Sequence, residues 1–308
     1  MANRSRVLVT GGAGFIGRRL VRALLDEGHE VTVADLRAFG DPAVRSVTGD
    51  LCDPGVPERA VRQGRPDVIV HLAAVTSVLA SVSDPVGTHR LNVDATARLL
   101  ELAREHEVGT FLLASTNAVV GDVGGAVITE RTVLRPLTPY GATKAAAEML
   151  LGSYANCYGI TGAALRYSNV YGPGMTEKDS FVPRLMRAAR DGEGVAVRGD
   201  GSMLRDLVHV DDVVQGTLAA WRAGHSGPLI LGAGRSVSVN EMVATARRVT
   251  GAPIPAENVP VNKGEMPAVI LDISLARRLG YQPRYDLESG MATVWPDFRP
   301  RTAHAAGE

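Results

Sequence analysis

Residues 6–17 read Arg6-Val7-Leu8-Val9-Thr10-Gly11-Gly12-Ala13-Gly14-Phe15-Ile16-Gly17. A short β-branched run meets three glycines in a G-x-x-G-x-x-G spacing, Gly11, Gly14 and Gly17, and an amphipathic stretch continues to Glu27. The order predicts a strand, a tight turn and a helix. Glycine lets the backbone approach a phosphate with no Cβ in the way. The helix that follows aims its unpaired N–H groups and positive dipole end at that anion. Any tight strand–helix turn can look like this, so the context decides. Glu30-Val31-Thr32-Val33-Ala34-Asp35 reads as a second strand, and it ends in an acid 18 residues after Gly17. An acid there accepts hydrogen bonds from a ribose 2′-hydroxyl and repels a 2′-phosphate, which favours NAD over NADP. Arg37 stands close enough to greet a 2′-phosphate instead. Phe15, Ile16, Leu36, Asp50 and Leu51 complete the candidate contacts of this end, although Asp50 alone reads no better than a turn residue.

Working outward, strand-like runs alternate with helical ones. Val44–Val47, Asp67–His71 and Thr110–Ala114 read as further strands, and Asn92–Glu105 and Tyr140–Tyr158 as helices. The alternation predicts an α/β fold: a Rossmann-type doubly wound parallel sheet with a smaller α/β substrate-binding lobe. Gly172-Pro173-Gly174 breaks the pattern. The expected division is residues 1–169 and 204–233 for the cofactor domain, 170–203 and 234–298 for the second lobe, and 299–308 as a flexible tail, with the chain returning to the sheet around Arg205–Leu231.

The 33 basic and 33 acidic residues balance, so no field favours nucleic acid or an anionic membrane. The polar start and short apolar runs fit neither a signal peptide nor a membrane span. Two cysteines, Cys52 and Cys157, make neither a disulfide framework nor a metal spacing, which points to a cytoplasmic protein without a metal.

Lysine is scarce: Lys144, Lys178 and Lys263 stand against 30 arginines. Lys144 falls four residues after Tyr140, one turn along the same helical face. A phenol titrates near ~10, and a base working near neutral pH needs that lowered by about three units, roughly 4 kcal/mol. An ammonium one turn away, and a cationic nicotinamide, favour the phenolate. Ser115 and Thr116 close the strand that begins at Thr110, at the carboxyl end where α/β sheets bind ligands. Thr116 is placed to bond the substrate oxygen that Tyr140 deprotonates.

These residues resemble an extended short-chain dehydrogenase/reductase of the nucleotide-sugar epimerase/dehydratase group. The matches run along nearly the whole chain: Thr10–Gly17, Asp35, Gly49-Asp50-Leu51, His71-Leu72-Ala73-Ala74, Asn92, Ser115-Thr116, Tyr140-x-x-x-Lys144, Arg166–Gly174, Phe181-Val182-Pro183 and Arg205–Asp212. The resemblance implies that Tyr140 is a catalytic base, Lys144 an anchor for the cofactor ribose, and Thr116 their hydroxyl partner. It places Leu72, Ala73, Ala74, Asn92, Ser115 and Tyr167 against NAD. It places Thr76, Asn117, Asn169, Val182, Arg184, Val197, Arg205 and Glu265 around a nucleotide sugar, with UDP-sugars the commonest substrates. Backbone at Val182 and Val195–Val197 would frame the base, and Asn169 and Arg205 would grip the diphosphate. It also implies a homodimer joined through the helices at 92–105 and 140–158.

Departures narrow the reaction. The dehydratases of the group carry Asp-Glu directly after the Ser/Thr; here those positions are Asn117 and Ala118. Val120 stands where tyrosine is common, Ser168 where an aromatic is frequent, and Asn262 where a phosphate-binding arginine is expected. The remaining machinery suits reversible oxidation at one carbon, a C4 epimerase of a UDP-hexose or UDP-hexuronic acid acting through a 4-keto sugar. A 4-ketosugar reductase or other sugar-nucleotide oxidoreductase or dehydratase, and a non-catalytic NAD-binding regulator, stand as alternatives.

Overall fold

The computed structural model describes residues 4–261 and 266–299. β1 (Arg6–Thr10) passes through the glycine turn into α1 (Phe15–Asp26), followed by β2 (Glu30–Asp35), β3 (Arg45–Thr48), α2 (Gly55–Gly64) and β4 (Val68–His71). Two short helices, α3 (Val78–Ser83) and α4 (Pro85–His89), lead through a π-helical turn at Arg90–Asp94 into α5 (Ala95–Glu105) and β5 (Thr110–Thr116). Next come β6 (Val127–Ile128), α6 (Pro139–Tyr158), β7 (Thr161–Tyr167), β8 (Asn169–Tyr171), α7 (Phe181–Asp191) and β9 (Val195–Arg198). β10 (Leu204–His209), α8 (Val210–Arg222), β11 (Gly227–Leu231), β12 (Ser236–Ser238) and α9 (Val239–Thr250) follow. β13 (Ala256–Val259), β14 (Ile270–Leu271), α10 (Ser274–Arg278) and α11 (Leu287–Val294) complete the described chain.

Seven parallel strands form the main sheet in the order β3-β2-β1-β4-β5-β7-β11. Both faces are covered, so the strands are apolar at successive positions rather than at alternate ones. On β5, Phe111 and Leu113 join a cluster with α2, α5 and α6, while Leu112 and Ala114 join another with α1 and α8. After β3 the chain crosses back to β4, beside β1, and direction reverses between them. Such a switch point opens a crevice outside the carboxyl ends of the strands.

A third cluster holds Tyr171, Leu185, Met186, Val197, Met242, Val243, Met291 and Phe298, and Phe15 at the start of α1 packs against it. It is bordered by a three-stranded sheet, β12-β10-β8, and a parallel pair, β9 and β13. Here one expectation is corrected. The return to the main sheet does not begin at Arg205. β10 pairs with β8 and β12, and only α8 and β11 rejoin the larger sheet. The reason is Asp206, fully buried, whose carboxylate accepts the N–H groups of Ala233 (2.9 Å) and Gly234 (2.9 Å) and ties β10 to the turn before β12.

α6 carries the Tyr-x-x-x-Lys motif, and its ends are set locally. Thr138 caps it by accepting the Gly141 N–H at 3.2 Å, Pro139 starts the first turn, and Gly159 ends it with φ 73°. Among the described residues no helix is long and apolar enough to cross a membrane.

Candidate active site

The glycine turn is built to leave its helix end open. A Cβ on Gly11 would lie 2.7 Å from the Ala73 nitrogen, and one on Gly17 would lie 2.2 Å from the Gly11 oxygen. Both distances are below contact, so β1, α1 and the segment after β4 meet backbone to backbone. Gly14 stands at the N-cap of α1 and offers no capping side chain, and the first turn of the helix holds no acid. A negative group fits there without competition. The turn therefore suits a pyrophosphate, and Gly11, Gly14, Phe15, Ile16 and Gly17 would hold it.

Asp35 faces the same turn. Its carboxylate accepts the N–H of Ala13 (3.0 Å) and of Arg37 (3.2 Å), which fixes it at the end of β2 with lone pairs left for a diol. Exposed Leu36 follows it. The Arg37 guanidinium reaches back toward the Ala13 carbonyl at 3.5 Å. Asp50 accepts the Cys52 N–H at 2.9 Å and closes its own turn beside buried Leu51.

Behind the turn runs a buried polar chain. Thr96 donates to the Asn92 carbonyl at 2.8 Å, so it must accept from His71 Nε2 at 3.0 Å. His71 Nδ1 is then the acceptor, and Thr10 donates to it at 2.6 Å while accepting the Ala73 N–H at 3.3 Å. Burial holds the imidazole neutral by pulling its pKa down to about 3, with Lys144 adding to the effect. The chain fixes the Leu72-Ala73-Ala74 segment over the glycines. Asn92, in the π-helical turn, accepts the Val75 N–H (2.8 Å) and donates to the Val75 carbonyl (3.0 Å) and to Thr143 Oγ1 (3.1 Å). Thr143 in turn donates to the Tyr140 carbonyl at 2.9 Å. Asn92 thus pins the first turn of α6 through its side chain.

The predicted triad comes together. The Thr116 hydroxyl faces the Tyr140 phenol and favours its ionised form, yet desolvation outweighs this and pushes Tyr140 up from its ordinary value. That differs from the expectation that a neighbouring ammonium would lower it. Lys144 instead lies buried with Nζ donating to the Ala114 carbonyl at 2.9 Å, and desolvation draws it down to about 8.

Beneath it lies a group that the motif reading missed. Glu148, the next turn of α6, is buried and accepts from Arg166 of β7 in a two-pronged contact, at 3.0 Å (Nε) and 2.7 Å (Nη2). The Ser115 hydroxyl also donates to Glu148, so its backbone is what remains for a cofactor. The available signal was the i, i+4, i+8 spacing of Tyr140, Lys144 and Glu148. Tyr167, next to Thr116 across the β5–β7 ladder, turns its hydroxyl to Thr217 of α8 at 3.1 Å.

The sugar-side candidates are more dispersed. Thr76 is exposed after β4, and Asn117 is buried in the short turn after β5. Asn169 donates to the Asp206 carbonyl at 2.9 Å. The side chains of Val182 and Val197 are packed inside, so only their backbones could meet a ligand. Arg184 is held by Asp179 at 2.8 and 2.7 Å, and Arg205 donates to the Leu204 carbonyl at 2.8 Å. Glu265 and Asn262 lie outside the described residues. Among the described residues no group of His, Cys, Asp and Glu is placed to hold a metal.

A glycine cradle at the switch point of a parallel sheet, with tyrosine and lysine one turn apart beside it, defines an enzyme of the extended short-chain dehydrogenase/reductase class. The chain belongs to the NAD dependent epimerase/dehydratase family, whose model matches residues 7–232. It is 35% identical over 308 residues to the dTDP-glucose 4,6-dehydratase of Streptomyces griseus, covering 94% of this chain and 93% of that one. The UDP-glucose 4-epimerase of Thermotoga maritima with UDP-glucose superposes with a TM-score of 0.89 at 33% identity, covering 95% and 98% of the two chains. MoeE5 in complex with UDP-glucuronic acid and NAD superposes with a TM-score of 0.87 at 36% identity, covering 94% and 97%.

Proposed function

We propose that the protein is an NAD-dependent nucleotide-sugar 4-epimerase acting on a UDP-hexose or UDP-hexuronic acid. One observation carries the choice within the family. Tyr140 faces Thr116 at the crevice, while the two positions after Thr116 hold an amide and a methyl, Asn117 and Ala118, in place of two carboxylates. Elimination of water needs a group to carry a proton to the leaving hydroxyl and another to take one from carbon. The two positions where dehydratases of the group keep that pair supply neither. What remains is removal and return of one hydroxyl proton. NAD, when bound in the glycine cradle, supplies the acceptor and donor of the sugar's hydride.

Tyr140 takes the O4 proton and gives it back. Thr116 bonds the same oxygen, and Lys144, at the next turn of α6, holds positive charge near the phenol. The expected division assigns 170–203 and 234–298 to the nucleotide sugar, with Asn169 and Arg205 at the diphosphate. The same reading takes the enzyme as cytoplasmic and homodimeric. Exposed Leu79, Val82 and Val86 on α3 and α4, with Met149 on α6, supply apolar surface where these helices pack together.

The test is incubation with UDP-glucose, UDP-glucuronic acid and their dTDP counterparts, with epimers separated by anion exchange. The expected result is interconversion of C4 epimers without added cofactor, the NAD remaining with the protein. Stoichiometric NADH consumption, or a 4-keto-6-deoxy product, would overturn the reading.

A further inference from the structure

Glu148 is a buried charge for which the mechanism above has no use. It sits two turns along α6 from Tyr140 and one from Lys144, so the three share a face. Its carboxylate is locked: Arg166 grips it from β7, the Ser115 hydroxyl donates to it from β5, and Arg166 Nη1 donates onward to the Glu130 carbonyl at 3.2 Å. The lock ties α6 to the two strands that end beside the crevice. Ser115 directly precedes Thr116, and Ala114, whose carbonyl receives the Lys144 ammonium, precedes Ser115.

We propose that Glu148 is a positioning residue of the active site, a fixed anion that keeps the Lys144 ammonium charged beneath Tyr140 and sets the end of β5 against α6. The proposal rests on the role given to Lys144 above. The need for such an anion is physical. A fully buried ammonium with one carbonyl partner is costly, and desolvation is the largest influence on it. Glu148 opposes that influence and raises its basicity. The ionisable groups facing the lysine are Tyr140 and Glu148 on α6 and His71 on β4, with Arg166 of β7 behind Glu148. His71 is held neutral, so Glu148 is the one anion among them. A buried pair that were only a structural clamp could be replaced by apolar residues with little loss. An electrostatic support could not.

The chain has three lysines, so [6-13C]lysine labelling gives three methylene signals, and Lys144→Arg identifies the one that matters. Titrated by NMR without any substrate, Lys144 should show a midpoint near 8 in the parent protein. In Glu148→Gln the midpoint should fall by half a unit or more, while in Arg166→Met, which leaves the carboxylate and removes its other cation, it should rise. Glu148→Asp, which keeps the charge, should stay within half a unit of the parent and serves where Glu148→Gln does not fold. For a midpoint lowered by about one unit, the charged fraction falls roughly twofold at pH 7 and roughly tenfold at pH 9, and turnover relative to the parent should fall in the same proportion. A Glu148→Gln shift below half a unit, or shifts of the same sign in Glu148→Gln and Arg166→Met, overturns the proposal. Because the titration needs no sugar, that outcome is distinct from failure of the epimerase assay.

Discussion

Replacing Gly17 by alanine tests the glycine cradle directly. The added Cβ would sit 2.2 Å from the Gly11 oxygen and 2.6 Å from the Gly12 Cα, where ordinary contact starts at 3.4 Å. These are backbone atoms of the same turn, so the start of α1 must move from the loop by about 1.2 Å. Overpacking of this kind costs about 1–3 kcal/mol, and the better helix propensity of alanine returns about 1 kcal/mol. The net loss is about 1 kcal/mol, a fall in Tm of about 1–2 °C for a chain of this size. The effect on NAD should be larger. N–H groups aimed at a charged phosphate contribute about 1.5–3 kcal/mol each, so displacing one weakens Kd roughly 10- to 100-fold. Calorimetric titration with NAD, beside a thermal melt, reads both numbers. Gly152→Ala is the control: it lies within α6, a Cβ there meets nothing within 4 Å, and it should raise stability by about 0.5–1 kcal/mol without changing NAD affinity. If Gly17→Ala bound NAD within twofold of the parent, the cradle would not be where the phosphates sit.

Three further outcomes follow from the site. Tyr140→Phe keeps the ring and should retain NAD while sugar turnover drops about 10²–10⁴-fold; a smaller drop assigns the proton to another group. Asp35→Asn keeps an acceptor for the Ala13 N–H but removes the charge, and should weaken NAD about tenfold while narrowing its advantage over NADP in competitive binding; an unchanged preference places the ribose elsewhere. His71, pulled from 6.5 to about 3 in the folded protein, makes the unfolded chain bind the extra proton first. Its contribution is therefore whole above pH 6.5 and lost as pH falls toward 3, by up to about 1.4 kcal/mol per unit. His71→Gln should flatten that slope in urea unfolding between pH 7 and 4, and parallel slopes would show that the ring is already charged.

The parts of the fold that were legible in the sequence are those where local chemistry and tertiary role agree. β1, the glycine turn and Asp35 announce themselves because phosphate approach demands glycine, and the end of β2 demands an acid. β7 was not read as a strand. Thr161-Gly162-Ala163-Ala164-Leu165 has few β-branched residues, and pairing with β5 on one side and β11 on the other supplies what propensity lacks. β10 falls inside the stretch expected to return to the main sheet, and its apolar residues Leu204, Leu207 and Val208 follow no alternation that would assign it a sheet; the buried Asp206 that ties it to the turn before β12 reads in sequence as a surface acid. In the site, Tyr140, Lys144 and Thr116 follow a motif. Arg166 opens the Arg166–Gly174 match, but nothing in the sequence pairs it with Glu148, since a glutamate on a helix and an arginine in a strand are usually solvated. Their partnership exists only once β7 lies beside β5.

The polar chain from Thr10 through His71 and Thr96 to Asn92 has a direction, because each proton has one place to go. That makes its members inseparable as heritable units. A chimera that joined β1 from one relative to β4 and α5 from another would inherit a working relay only if both parents kept all three side chains, or if the block crossed over whole. Thr96→Val, alone, would strand the imidazole hydrogen and let the ring exchange tautomers, with the segment over the glycines following. Recombination breakpoints that succeed in this scaffold should therefore fall after α5, where the relay has already closed.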